Sequence, residues 1–246
     1  MDHTSQLVGK SAIVTGGSRG IGLATAIALR RAGAGVLICG RSAEALDAAV
    51  ALIGTATVAA PAGPLVTAVA DVRDPEQVER VVSAAVEQLG GVDILINNAG
   101  VGRFSRLADL TIEDWRETID TNLSGVFYCC RAIIPTMTRC GGGWIINISS
   151  LAGKHPFAGG TAYCAAKAGL NAFTEALMQE VRRDGIRVSC VLPGSVDTEF
   201  AGNQPSDDAA WKLAASDVAQ TVVDLLCHPP RSLPSRVELR PAVPRK

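Results

Sequence analysis

Short uninterrupted apolar runs alternate along the chain with longer stretches in which apolar residues recur every three to four positions. The first kind suits strands buried on both faces, and the second suits amphipathic helices. The runs predict strands at Ser11–Thr15, Val36–Cys39, Val66–Ala70, Ile94–Asn97, Trp144–Ile148, Arg187–Leu192 and Arg236–Leu239. Helices fall between them, including long ones over Thr111–Thr138 and Thr161–Arg183. Their starts carry capping signals: Asp74 ahead of Pro75, the box Thr111-Ile112-Glu113-Asp114, and Ser216 before Asp217. Six strand–helix units closed by a last strand predict an α/β fold, a doubly wound parallel sheet of about seven strands with helices on both faces. The small-residue stretch Gly54–Pro64 reads as a surface loop, and the aperiodic stretch Gly194–Trp211 as a short substrate flap.

Composition narrows the classes of partner. The chain has 246 residues, 48% of them hydrophobic and 19% charged, which is enough for one domain over 1–246 with a full core and argues against disorder. With 23 Lys+Arg against 24 Asp+Glu there is no basic surplus to recruit nucleic acid or an anionic membrane. No apolar run approaches the roughly 18 to 20 residues needed to cross a bilayer, and Met1–Lys10 is polar without a signal-peptide core, so a soluble, cytoplasmic protein is expected. The seven cysteines, Cys39, Cys129, Cys130, Cys140, Cys164, Cys190 and Cys227, are odd in number and lack metal-site spacing. They are read as mostly buried thiols in a reducing compartment, with no metal site.

The first strand runs into Thr15-Gly16-Gly17-Ser18-Arg19-Gly20-Ile21-Gly22, and a helical stretch follows. Glycines there let backbone N–H groups and the positive helix end approach a pyrophosphate. The spacing G-x-x-x-G-x-G differs from the general dinucleotide fingerprint. The second strand ends in Ile38-Cys39-Gly40-Arg41-Ser42, where an NAD site would place a carboxylate for the ribose hydroxyls. Arg41, with Arg19 from the glycine turn, instead suits a 2′-phosphate, because guanidinium offers a forked and permanently charged donor set. The expected cofactor is therefore NADP(H) in preference to NAD(H).

Four further patterns follow in order. Asp71-Val72 closes the third strand, where a carboxylate suits an adenine amino group. Asn97-Asn98-Ala99-Gly100 closes the fourth. Asn122 sits inside a predicted helix, where asparagine has poor propensity, and Ser149-Ser150 precedes Tyr163-Cys164-Ala165-Ala166-Lys167.

Taken together, these motifs closely resemble the short-chain dehydrogenase/reductase family in its short, non-extended branch, from Val8 to about Leu226. The resemblance implies a Rossmann-type domain and an NADP(H)-dependent oxidoreductase that interconverts a ketone and a secondary alcohol. It also implies a catalytic tetrad of Asn122, Ser150, Tyr163 and Lys167, with Ser150 selected over Ser149 by the family's spacing to the tyrosine. Cofactor residues carried over are Gly16, Gly17, Ser18, Arg19, Gly20, Ile21, Gly22, Arg41, Asp71, Val72, Asn98, Tyr163 and Lys167, with Pro193, Val196 and Thr198 of the P-G motif.

In this reading Tyr163 transfers the proton and Ser150 donates to the substrate oxygen. Lys167 lies one helical turn from Tyr163. At about 5 Å and an effective dielectric near 20 its charge is worth roughly 3 kcal/mol, enough to draw the phenol about two pKa units towards neutrality. The resemblance adds ribose contacts for Lys167 and, for Asn122, a water linking Lys167 to solvent.

The tail Pro229–Lys246 departs from the commonest family ending and resembles a branch that includes reductases of small hydroxy acids and diverse ketones. A homodimer or homotetramer is expected from the resemblance, through the two long helices. Val101, Phe104, Leu151, Phe200 and Trp211 are candidate pocket residues for a modest, partly apolar small-molecule ketone or alcohol. A regulatory or scaffold protein on the same fold is the competing reading, and the complete tetrad argues against it. His155 is the histidine nearest Cys164 in sequence, but it lies in a Gly/Pro-flanked loop, so a catalytic thiol is not expected.

Overall fold

A strand buried on both faces must send alternate side chains into two cores, and the central strands do so. The computed structural model describes residues 5–57, 63–202 and 210–243. Among these, β1 (Ser11–Thr15), β2 (Gly35–Gly40), β3 (Leu65–Val69), β4 (Ile94–Asn97), β5 (Gly143–Ile148), β6 (Ile186–Pro193) and β9 (Arg236–Leu239) form one parallel sheet. Its order is β3-β2-β1-β4-β5-β6-β9. Ala12, Val14, Val36, Ile38, Ile94 and Ile96 face one core. That core is closed by α1 (Gly20–Arg31), α2 (Ala43–Ala56) and α7 (Ala215–Leu226). Ile13, Leu37, Leu95 and Ile145 face the other, under α3 (Pro75–Leu89), α5 (Gly125–Arg139) and α6 (Thr161–Val181). Each such Ile or Leu contributes about 1.5–3 kcal/mol of burial.

The chain winds outward from β1 to β3, then restarts at β4 on the other side of β1. The crevice at the carboxyl ends of β1 and β4 is therefore a topological switch point, the usual place for a ligand in an open α/β sheet.

All seven expected sheet strands are present, shifted by a residue or two at some ends. Asp74 caps α3 by accepting from the N–H groups of Glu76 and Gln77, and Thr111 caps α4 (Ile112–Ile119) by accepting from Asp114 N.

Three expectations need correction. The helix expected over Thr111–Thr138 is two helices, α4 and α5, joined by a π turn at Asp120–Ser124. The start expected at Ser216 lies earlier, because Asp217 reaches back to accept from Ala214 N, so α7 begins at Ala215. The loop expected from Gly54 begins later, since α2 continues to Ala56; its residues 58–62 lie outside the described residues.

Within the flap region, β7 (Val196–Asp197) pairs with β8 (Leu213–Ala214), a two-residue ladder too short to register as a sequence pattern. Residues 203–209 of that stretch are also outside the described set. Five of the seven cysteines are buried, while Cys140 is exposed and Cys227 half-buried. Among the described residues no helix is long and apolar enough to cross a membrane, and no group of three His, Cys, Asp or Glu side chains is placed to hold a metal.

Candidate active site

A cleft of about 1150 Å³ opens at the switch point and runs across the carboxyl ends of the strands. Gly16, Ser18, Arg19, Gly20 and Ile21 of the glycine turn line it, as do Arg41, Asp71, Val72, Asn98, Ser150, Tyr163, Lys167, Pro193, Val196 and Thr198. Gly17, Gly22 and Asn122 do not, and instead support it from behind. A Cβ on Gly22 would sit 2.2 Å from Gly16 O, so only glycine lets α1 start this close to the turn.

The turn is held by residues that sequence reasoning underrated. Thr15 Oγ1 accepts from the N–H groups of both Asn98 and Ala99, and Asn98 Nδ2 donates to the carbonyls of Thr15 and Gly16. Asn98, expected to bind cofactor, thus has its side-chain amide tying β4 to the glycine turn. The signal for Thr15 was its place in the same Thr-Gly-Gly run, but its bonding partners lie more than eighty residues away.

The two arginines expected to meet a 2′-phosphate both line the cleft. Arg19 and Arg41 are both exposed, yet each stands near a glutamate: Arg19 Nη1 is 3.6 Å from Glu199 and Arg41 Nη1 is 3.5 Å from Glu117. Glu117 also accepts from Arg103 at 2.8 Å and lies 4.0 Å from Arg73, and these guanidiniums hold its carboxyl below the usual range. Arg73 in turn grips the Asp71 carboxylate, which is lowered mainly by that hydrogen bonding. The oxygens expected to meet an adenine amino group therefore already accept from Arg73. Glu117, Arg73 and Arg103 escaped sequence reasoning because nothing local marks a network spread over three elements.

At the other end of the cleft, α6 carries the tyrosine and lysine of the expected tetrad. Tyr163 and Lys167 are 9% and 4% exposed, one turn apart on the same face. The helix is fastened to the end of β5: the Ser149 hydroxyl donates to Asn171 Oδ1 at 2.6 Å, and Lys167 Nζ donates to Ile148 O at 2.8 Å. Beneath lies a fully buried ladder in which Asn97 Nδ2 donates to Asn147 Oδ1 at 2.8 Å and Asn147 Nδ2 to Thr174 Oγ1 at 2.9 Å. Ser150 begins the next turn, its Oγ accepting from Ala152 N.

One expectation about this group is corrected. The Tyr163 phenol is not drawn towards neutrality; burial pushes it up to about 12, against an opposing pull from Ser150. Lys167 Nζ is turned to the Ile148 carbonyl, 5.8 Å from the phenol ring centroid, and its own burial brings it down to about 8. Desolvation is the largest cause in both cases.

Asn122 lies in the π turn and is fully buried, and both polar atoms of its side chain are engaged by Val101: Oδ1 accepts from Val101 N at 2.9 Å and Nδ2 donates to Val101 O at 2.8 Å. The side chain clamps the loop after β4. Gly100 is wedged beside this clamp, since a Cβ there would lie 2.9 Å from Asn122 Oδ1 and 3.9 Å from Lys167 Nζ.

Aromatic rings form the wall opposite. Phe104 meets Tyr163 edge-on at 5.5 Å and Phe157 at 5.6 Å, and Phe200 lies 5.6 Å from Tyr163. Val101, Phe104, Leu151, Phe200 and Trp211 line the cleft as expected, together with Phe157, His155, Lys212 and Arg240.

This constellation can be set against known proteins. The family model described as short chain dehydrogenase matches residues 10–209. The chain belongs to the short-chain dehydrogenase family. Short-chain dehydrogenases similar to it include the 3-oxoacyl-[acyl-carrier-protein] reductase FabG of Chlamydia muridarum, 41% identical over 80% of this chain and 77% of the relative. An alcohol dehydrogenase from the archaeon Thermococcus sibiricus, solved with 5-hydroxy-NADP, superposes with a TM-score of 0.88 at 30% identity, covering 96% of this chain and 98% of that one. A metagenomic short-chain oxidoreductase solved in complex with NADP gives 0.84 at 35% identity over 98% and 100% of the two chains. As a short-chain dehydrogenase, the protein is an NAD(P)-dependent oxidoreductase acting on CH–OH groups.

Proposed function

We propose that the protein interconverts a ketone and a secondary alcohol with NADP(H) in preference to NAD(H), using Tyr163 as proton donor and acceptor. The observation that carries this reading is the single cleft in which Ser150, Tyr163 and Lys167 occupy one end and the glycine turn with Arg19 and Arg41 the other. Gly16 and Gly20 of the turn line the cleft, and no carboxylate ends β2 to favour a ribose 2′-hydroxyl. NADP in two structural neighbours supports the same preference.

When bound, the nicotinamide supplies or accepts the hydride. The residues of the chain manage charge and the proton. Ser150 donates a hydrogen bond that strengthens as the carbonyl oxygen becomes negative. Tyr163, held near 12, remains protonated at neutral pH and releases its proton only to a strongly basic oxygen, which is the alkoxide formed in reduction. Lys167, near 8, favours its ammonium form about tenfold at pH 7 and balances the phenolate that proton release creates. One of its three N–H groups is held by Ile148 O, leaving two for ribose hydroxyls. Asn122 keeps the Val101 loop from closing on these groups, and the aromatic wall excludes water. Self-association as a homodimer or homotetramer is supported by exposed Trp115 and Phe127 on α4 and α5, and is read by light scattering.

The test is NADPH oxidation with a panel of β-keto esters, cyclic ketones and 3-oxoacyl thioesters, repeated with NADH and with Tyr163→Phe. Turnover that favours NADPH and is lost in the variant, with NADPH still bound, is expected. Equal efficiency with NADH overturns the cofactor preference. Tight NADPH binding without turnover of any carbonyl overturns the enzymatic reading in favour of a regulatory protein.

A further inference from the structure

The cations along the cleft exceed what a cofactor uses. Arg19 and Arg41, assigned to phosphate, stand just beyond β1 and β2. A second group stands at the opposite edge of the sheet. Arg240 follows directly on β9, four places from β1, and at about 4.8 Å per strand that is on the order of 19 Å from the glycine turn. No phosphate seated at β1 or β2 reaches it.

The acids near this group are outnumbered. Arg240 Nη2 lies 3.0 Å from Glu238 Oε2, while Lys154 takes the other oxygen of the same carboxylate. The same Nη2 stands 3.0 Å from His155 Nε2, where it can donate to the unprotonated ring nitrogen. Lys212 adds a third cation, 3.9 Å from Asp197. Arg240, His155 and Lys212 line the cleft with Ser150 and Tyr163, whereas neither Glu238 nor Asp197 reaches its wall.

The group also stands close to the reactive centre. The turn Leu151–Gly153 starts immediately after Ser150, and His155 N donates back to Leu151 O at 2.7 Å. At about 2 Å of rise per residue His155 lies on the order of 10 Å along the chain from Ser150. Gly194 N donates to Leu239 O at 2.8 Å, joining the residue before Arg240 to the P-G turn of the site.

We propose that the cleft takes a compact oxo acid: a ketone carrying a carboxylate or phosphate a few bonds from its carbonyl, with the anion seated against Arg240 and Lys212. This rests on the ketone-reducing reading above. The anion accepts from the Arg240 N–H groups that Glu238 and His155 do not take, and from the Lys212 ammonium. It positions the ketone only; proton transfer stays with Tyr163.

The test compares kcat/KM with NADPH for 3-oxobutanoate against its methyl ester, and for hydroxyacetone phosphate against hydroxyacetone. At least one anion is expected to exceed its neutral partner by about tenfold or more, the scale of a charge-assisted hydrogen bond, and the pair that does so identifies the anion. That ratio should fall at least about fivefold in Arg240→Gln and less in Arg240→Lys, which keeps the charge. Neutral ketones reduced as well as the anions, with ratios unmoved in Arg240→Gln, overturn the proposal and leave the ketone-reducing reading intact. If the parent reduces no ketone, that earlier reading fails instead. The anion site is then read from the melting temperature of the protein with NADP+: a rise with the anion but not its neutral partner, lost in Arg240→Gln, supports it, and no rise overturns it.

Discussion

Replacing Asn122 with alanine separates two ways in which this residue can serve the site. The substitution leaves the backbone carbonyls of the π turn in place and removes only the side-chain clamp. Two hydrogen bonds to Val101 are lost, at 2.9 and 2.8 Å, and the Val101 N–H and C=O are left without them in a partly buried loop. At about 1–2 kcal/mol for each orphaned group, the expected loss is about 2–4 kcal/mol of unfolding free energy. For a chain of this length that corresponds to a fall of about 5–15 °C in Tm. Urea unfolding and a thermal melt, each run without cofactor, measure it directly. Turnover should fall as well, since the loop from Asn98 to Val101 lines the cleft. A variant with parental Tm and urea midpoint but lost turnover would refute the clamp and return Asn122 to a purely kinetic role, such as holding a water for proton exchange.

Other outcomes follow from charge and packing. Lys167 stands near 8 in the folded chain against an ordinary 10.5, so the folded state binds fewer protons between these values and stability should rise with pH across that window. Activity moves the other way: kcat/KM for NADPH, which reports the free enzyme, should decline as pH passes about 8, and a profile flat to pH 10 contradicts it. Glu117→Gln releases Arg41 from its carboxylate and should tighten NADPH about two- to fivefold by fluorescence titration, with NADH unchanged, since exposed ion pairs of this kind are worth under about 1 kcal/mol. Gly22→Ala forces a methyl group against Gly16 O and should weaken cofactor binding by at least about tenfold, the scale of a displaced phosphate cradle; calorimetric affinity within twofold of the parent argues against that packing.

What the sequence disclosed, and what it hid, divides along physical lines. Strands such as Ile94–Asn97 and Trp144–Ile148 were legible because burial on both faces writes a continuous apolar run, and Asp74 because a cap is a local event. The π turn at Asp120–Ser124 was not, since an i→i+5 turn leaves the apolar spacing on either side nearly unchanged; the ill-suited Asn122 was its one trace. The direction of the Tyr163 shift was misread for a different reason. Spacing on a helix places Lys167 near the phenol, but only the packed structure shows that both are desolvated and that Nζ turns to Ile148. The grouping of Arg41, Arg73 and Arg103 around Glu117, and of Arg240 with His155, depends on contacts between distant segments that no local pattern carries.

The buried ladder of Asn97, Asn147 and Thr174 has a consequence for how the sheet finds its alignment. Strands that are apolar on both faces, such as β4 and β5, can slide past one another with little change in burial, because every position is equally greasy. Asn97 and Asn147 are direct partners across that pair, and their amides bond to each other. A slip by one residue would leave two amides stranded in hydrocarbon, each at a cost of about 1–3 kcal/mol. The pair therefore acts as an indexing pin. Since Asn98 follows one amide and Ser149-Ser150 follow soon after the other, the same pin brings the glycine turn that Asn98 ties down and the Ser150 hydroxyl into phase across the cleft.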